Sequence, residues 1–251
     1  MKYIASVSFG KDSLAMLLML IEKKYKIDEV VFYDTGMEFQ AIYDIRDEVK
    51  KLLEKNKIKY TELNPKQPFL YKMLEKEVHK RDGTIQHGYG LCGGRCRWGT
   101  TEKNTTIEKY LKNMYSEEYR EYIGIAADEV RRIEQQRNEH KLLPLLEWNM
   151  KEEDCLKYCY EKGFQWKEGN IRLYDVLDRV SCWCCANKNM KELRNYKRYL
   201  PKYYEKFLDL TYQIWINAKN GKLKDVSDKF LSKFDKIENE EEGEKCKWVM
   251  L

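Results

Sequence analysis

Ser8-Phe9-Gly10-Lys11-Asp12-Ser13 separates an apolar strand, Tyr3 to Val7, from an apolar helix, Leu14 to Ile21. The first N–H groups of a helix lack intrahelical partners and carry the positive end of its dipole, so a strand, a Gly turn and a helix N-terminus make an anion site. Gly10 lets backbone approach the oxygens, Ser8 and Ser13 offer hydroxyl donors, and Lys11 adds a point charge suited to a polyphosphate. Asp12 repels an anion and reads as a cap for N–H groups or a magnesium ligand. The longer Gly-to-Gly-Lys spacing of a Walker loop is absent.

Outward from this junction, strands and helices alternate. Glu29 to Tyr33 reads as a short strand, Val30-Val31-Phe32 being the continuous apolar run expected of a strand buried on both faces, and it ends in Asp34-Thr35-Gly36. Ligands of open α/β sheets bind beyond the carboxyl ends of strands, which puts Asp34 and Gly36 beside the first loop. A helix over Gln40 to Lys55 and a strand over Lys59 to Leu63 follow, then a helix over Phe69 to Arg81. Gly83 to Gly94 is rich in Gly and reads as an active-site loop. Next come a helix over Thr100 to Met114, strands over Glu121 to Ala126 and Leu142 to Leu146, and a helix over Lys151 to Lys162. Met190 to Ile216 is helical with Tyr and Trp among Lys and Arg, and the acidic run Glu238 to Glu244 reads as frayed. The pattern predicts an α/β fold, a mostly parallel five-stranded sheet with helices on both faces, plus a C-terminal helical extension. The expected domains are 1–187, holding nucleotide and cysteine sites, and 188–251, packed on it.

The 251 residues are 35% charged, with a formal net charge of +5, which permits a nucleic-acid partner without requiring one. No apolar run reaches the length of a membrane span and Met1-Lys2 leads straight into a strand, so the expected location is cytoplasmic. Eight cysteines in such a chain argue for thiols or metal ligands over structural disulfides. Five fall in two clusters, Cys92 with Cys96 and Cys182 with Cys184 and Cys185. Converging thiolates suit tetrahedral zinc or a four-iron cluster. Cys155 and Cys159, four apart on one helix face, read as small buried hydrophobes.

The first loop resembles the SxGxDS signature of the PP-loop family of adenine-nucleotide α-hydrolases, and Asp34-Thr35-Gly36-Met37-Glu38-Phe39 with Tyr43 resembles the DTGxEFxxxY stretch of its phosphoadenosine phosphosulfate reductase branch. Leu173 to Cys185 resembles the LYDxxDRxSCWCC box of stand-alone members. The segment from Gly124 to Glu129 is similar to the branch's GxRxxE, with Ala126 where an Arg is often found. The resemblance implies that backbone around Asp34 and Thr35 accepts adenine and ribose, with Asp128 also at the nucleotide. By similarity to adenylyl-sulfate reductases, the metal ligands are Cys92, Cys96, Cys182 and Cys185, holding a [4Fe–4S] cluster or zinc. Cys246 invites comparison with the tail cysteine that attacks sulfur in sulfonucleotide reductases, although Lys247-Trp248 departs from the family's following residues.

The intact Lys11 reads as a site for the β and γ phosphates of ATP bridged by Mg²⁺. The expected activity is cleavage between the α and β phosphates in sulfur transfer, with Lys11 and Asp12 catalytic. The alternatives are reduction of adenylyl sulfate or its 3′-phosphate with Cys246 as nucleophile, or a non-catalytic nucleotide- or nucleic-acid-binding subunit using Arg194 to Tyr212. A sulfur donor or redox protein is the further expected partner.

Overall fold

The computed structural model describes residues 1–94, 96–116, 118–135, 138–218 and 222–249, with side chains described through 240 except at 222 and 223. Along the chain run β1 (Lys2–Val7), α1 (Lys11–Glu22), β2 (Glu29–Tyr33), α2 (Gln40–Lys55), β3 (Lys59–Leu63), α3 (Phe69–Leu74), β4 (Glu77–His79) and β5 (Ile85–His87). A π-helical turn, Arg97–Glu102, leads into α4 (Lys103–Tyr115), β6 (Tyr119–Ile123), α5 (Val130–Gln135), β7 (Lys141–Leu142), α6 (Pro144–Glu147) and α7 (Glu152–Glu161). Then follow β8 (Lys167–Glu168), β9 (Ile171–Arg172), α8 (Leu173–Val176), α9 (Met190–Tyr199), α10 (Pro201–Asn217) and α11 (Lys222–Val249). The chain forms two compact units, Met1–Asn64 with Glu102–Glu168, and Pro65–Thr101 with Gly169–Leu251.

The first unit holds the five-stranded sheet, ordered β3-β2-β1-β6-β7. All its ladders are parallel, with Ala5 opposite Val30 and Tyr122, Val30 opposite Tyr60, and Tyr122 opposite Leu142. Every residue of β2 is buried, as the unbroken apolar run requires of a strand covered on both faces. The chain steps outward from β1 through β2 to β3, then returns to lay β6 on the other side of β1. Right-handed crossovers therefore put α1 and α2 on one face and α4 on the other. The reversal between β1 and β6 opens a crevice at their carboxyl ends, where α/β sheets bind ligands. Ile4, Ala5, Leu14, Leu17, Val30 and Phe32 form the core, each large side chain contributing about 1.5–3 kcal/mol by leaving water.

Several segments depart from expectation. The helix expected over Phe69 to Arg81 stops at Leu74, and a hairpin of β4 and β5 occupies the rest. The returning backbone terminates it, because the N–H groups of Tyr89 and Gly90 donate to the carbonyls of Lys72 and Met73. Gly88 makes this return feasible, since a Cβ there would stand 2.0 Å from the Met73 carbonyl oxygen. The segment expected as one loop from Gly83 to Gly94 thus contains a strand, with Asp82 closing its turn by accepting from the Thr84 N–H at 3.0 Å. The helical stretch expected over Met190 to Ile216 is a pair, α9 and α10, divided at Leu200 because Pro201 has no N–H to continue the first. Likewise the strand expected over Leu142 to Leu146 ends at Leu142, and Pro144 opens a helical turn. The acidic run expected to fray lies within α11. Among the described residues no helix is long and apolar enough to cross a membrane.

At the end of the sheet opposite the crevice, Glu29 opens β2 with a fully buried side chain. Its carboxylate accepts from the hydroxyls of Thr61 and Tyr115, from Tyr110 at 2.7 Å and from the Lys59 ammonium at 2.9 Å. Burial opposes the charge, yet these donors outweigh it and hold the carboxyl below its ordinary pKa. A depressed folded pKa gives stability that is complete above the unfolded pKa, about 4.3, and is lost as pH falls through the folded value. Glu29→Ala strands three hydroxyls and an ammonium, and should destabilise the protein by about 3 kcal/mol, read as a lower urea midpoint at unchanged slope. Glu29→Gln should also flatten the loss of stability below about pH 4 that the native chain shows in the same titration.

Candidate functional site

The loop after β1 is built by an unusual backbone. Phe9 lies in the left-handed region at φ 56°, a conformation that costs a bulky residue about 1–2 kcal/mol. Its neighbours supply more than that. The fully buried ring packs against Phe32 with centroids 4.9 Å apart, and the carbonyl accepts from the Trp166 indole at 2.7 Å. Gly10 sits at the N-cap of α1 in extended geometry. Ser13 accepts the Ser8 N–H and donates to the Gly10 carbonyl, both at 3.1 Å, so its hydroxyl closes the loop on itself.

Behind the loop, Gly124 at the end of β6 touches the start of α1. A Cβ on Gly124 would lie 2.6 Å from the Ser13 Cα and 2.8 Å from its nitrogen. Both are backbone atoms, which have little freedom to give way.

Lys11 is 8% exposed. Its ammonium meets the Asp12 carboxylate at 2.9 and 3.1 Å and Glu152 at 2.6 Å. Burial works against the charge, but Asp12 and then Glu152 outweigh it and raise the Lys11 pKa. Asp12 itself is pushed up by burial, Lys11 offsetting this while Glu152 and Glu129 add repulsion. Asp12 is thus committed to Lys11 rather than acting as the cap of α1.

Asp34 and Thr35 fix the turn after β2. Asp34 accepts from the Gly36 N–H at 2.8 Å and from the Tyr43 hydroxyl at 2.9 Å. Thr35 donates to Glu38 at 2.9 Å and accepts the Met37 N–H at 3.1 Å, and Gly36 adopts φ +71°. Beyond β6, Asp128 accepts the Glu152 N–H at 3.1 Å, while Glu129 pairs with Arg132 at 2.6 Å. Ser8, Gly10, Lys11, Asp12 and Ser13 after β1, Asp34, Thr35 and Gly36 after β2, and Asp128 after β6 therefore all stand at carboxyl ends of neighbouring parallel strands.

Cys155 and Cys159 are fully buried, burial pushing the Cys155 thiol up to about 12, and the Cys159 thiol donates to the Lys11 carbonyl at 3.4 Å.

The second unit gathers the two cysteine clusters. The thiols of Cys96 and Cys182 lie 3.8 and 3.9 Å from where a Gly99 Cβ would be. Cys92 accepts the Arg97 N–H and Cys96 the Gly99 N–H, each at 3.3 Å. Burial raises the Cys96 thiol pKa, the backbone N–H groups of Gly99 and Trp98 lower it, and charge on Cys92 and Cys185 raises it again. The side-chain amide of Asn187 clamps one cysteine loop to the other, accepting the Gly94 N–H at 2.7 Å and donating to its carbonyl at 2.8 Å. Lys188 is buried close by. Burial lowers its pKa, with Glu192 and the thiols of Cys185, Cys182 and Cys184 countering. In kind, thiols from two segments, two of them accepting backbone N–H donors, suit an iron–sulfur cluster or zinc. Among the described residues, no group of three or more His, Cys, Asp or Glu stands at metal-holding spacing. The side chain of Cys246 lies outside the described residues.

Phosphate loop, acidic turn and cysteine clusters coincide with a match over residues 2–185 to the phosphoadenosine phosphosulfate reductase domain. The chain belongs to this family. It is the reductase branch of the PP-loop adenine-nucleotide α-hydrolases that the first two motifs resemble, and its members typically bind adenine nucleotides. Two uncharacterized proteins of Methanocaldococcus jannaschii are similar: MJ0066, 25% identical over 81% of this chain and 40% of its own length, and MJ0973, 27% identical over 82% and 46%. The chain spans less than half the length of these curated relatives.

Glu152, Trp166, Asn187 and the left-handed Phe9 carry the geometry without having been singled out in the sequence. Glu152 sits in an acidic first turn, Glu152-Glu153-Asp154, that reads as a partner for the helix dipole, and only the fold brings it to Lys11. Within Arg194 to Tyr212, the stretch offered for nucleic-acid binding, Tyr196 and Tyr204 are buried, and Arg194 and Lys197 pair with Glu240 and Glu238. Gly124→Ala should force α1 away from β6, costing about 1–3 kcal/mol in thermal unfolding and accelerating hydrogen exchange in the first turn of α1.

Proposed function

We propose that the chain binds ATP with Mg²⁺ at the crevice between β1 and β6 and cleaves it between the α and β phosphates. An acceptor oxygen attacks the α phosphorus, the bond to the bridging oxygen breaks, and pyrophosphate leaves with the bonding pair. The observation that carries this reading is the buried Lys11 ammonium beside the loop, a fixed positive charge where a polyphosphate leaving group needs one. Asp12 is read as the protein ligand to Mg²⁺, and Asp34, Thr35, Gly36 and Asp128 as the walls for the nucleoside. Catalysis is positioning and electrostatic stabilisation. Adenylation turns an oxygen into a leaving group that sulfur can displace, so sulfur transfer is the setting this reading assigns.

Cys92, Cys96, Cys182 and Cys185 would hold a [4Fe–4S] cluster, or zinc as the alternative; the cluster would supply redox capacity or a binding point for sulfur. The functional domain is read as 1–187 with 188–251 as its helical extension, in keeping with a family match that ends at residue 185. The family's own name favours a second reading, reduction of a sulfonucleotide with Cys246 as nucleophile.

Pyrophosphate release from Mg·ATP should fall at least ~100-fold in Lys11→Ala and in Asp12→Ala. Undiminished release in both variants overturns the assignment, and sulfite release from adenylyl sulfate, lost in Cys246→Ser, would establish the second reading instead. Anaerobically purified protein should show iron absorbance and acid-labile sulfide, both reduced by serine at Cys96 or Cys182; colourless protein with stoichiometric zinc would select the alternative.

A further inference from the structure

A lysine side chain is a flexible stem, and its charge occupies one place only when something outside its own segment holds it. Asp12, the next residue in the chain, moves with Lys11 and cannot serve as that external reference. Glu152 can, because it comes from another element and reaches the ammonium at 2.6 Å, its shortest contact among those with the two carboxylates.

Glu152 is itself fixed. It is the first residue of α7, its N–H donates to Asp128 at 3.1 Å, and the preceding Lys151 N–H donates to Asp154 at 3.0 Å. The helix it opens packs along α1, where the Cys159 thiol takes the Lys11 carbonyl. One helix thus grips Lys11 at both ends, the backbone through Cys159 and the ammonium through Glu152. The attachment to Asp128 ties this grip to the turn after β6, on the far side of the same crevice.

We propose that Glu152 is a positioning residue that aims the Lys11 ammonium at the phosphate chain of a nucleoside triphosphate. The inference rests on the reading of Lys11 given under Proposed function. Glu152 makes no contact with the nucleotide in this role. It acts through Lys11, so its removal matters only while Lys11 is present. The opposing account is simple repulsion, in which a carboxylate near an anion site weakens binding and its loss strengthens it.

The two accounts differ in sign. Calorimetry with Mg²⁺ and either α,β-methylene ATP or AMP should show that Glu152→Ala lowers affinity for the triphosphate analogue by ~10-fold and leaves AMP unchanged. Glu152→Gln, which keeps an oxygen acceptor for Lys11, should recover most of the loss. In a Lys11→Ala background the Glu152→Ala change should have no further effect. Equal losses for both ligands, additivity in the double variant, or tighter binding of the triphosphate analogue overturns the proposal. If the native chain does not distinguish the analogue from AMP, it is the ATP reading that fails. The positioning claim is then decided by NMR of the Lys11 ammonium, whose signal should shift and lose protection in Glu152→Ala; an unchanged signal overturns it.

Discussion

At the end of β6 the backbone of Gly124 runs against the first turn of α1 at a distance that no side chain permits. That contact sets where the helix begins relative to the sheet, and the loop between β1 and α1 inherits its shape from it. With both ends fixed by the parallel ladder and by α1, three residues, Ser8 to Gly10, must turn from strand to helix in one compact step. Phe9 takes the left-handed conformation that the step requires. Burial of its ring, worth about 1.5–3 kcal/mol, and the Trp166 hydrogen bond, worth about 1 kcal/mol, exceed the conformational cost. The strain is local, and the neighbouring elements hold it in place.

Two charged knots occupy opposite ends of the sheet and differ in a way that separates structure from function. Glu29 is one carboxylate surrounded mainly by hydroxyl donors, which satisfy its oxygens and tie α4 to β2 and β3. Nothing about it invites a ligand. Lys11 at the other end is a cation among carboxylates, Asp12 and Glu152 in contact and Glu129 within electrostatic reach of Asp12. Its charges are linked to the ends of β1 and β6 and to the start of α7.

The cysteine site of the second unit follows the same logic in softer chemistry. Thiols on two distant segments meet because one amide, Asn187, satisfies both backbone groups of Gly94 at once. Backbone N–H groups are directed at the sulfurs of Cys92 and Cys96, and Lys188 is buried beside the thiols.

Much of this was legible before any coordinates. The strand and helix boundaries of the first two βα steps follow from apolar runs and periodicity, because parallel strands covered on both faces must be continuously apolar. Family membership is written in local motifs, since a phosphate turn and its neighbouring acidic turn are each specified by a few adjacent residues. Elsewhere the structure departs from the periodicity, at Pro144, which opens a helical turn in place of a strand, and at Gly88, whose close backbone approach ends a helix early. The pairing of Lys11 with Glu152, the indole on the Phe9 carbonyl and the Asn187 clamp join residues about ninety or more positions apart. No spacing in the chain encodes such contacts, because they depend on which strand ends become neighbours, and that is settled only when β6 returns to lie beside β1. The sequence by itself therefore determined the class of fold and the kinds of side chain at each strand end, while the tertiary structure decided which of them hold one another.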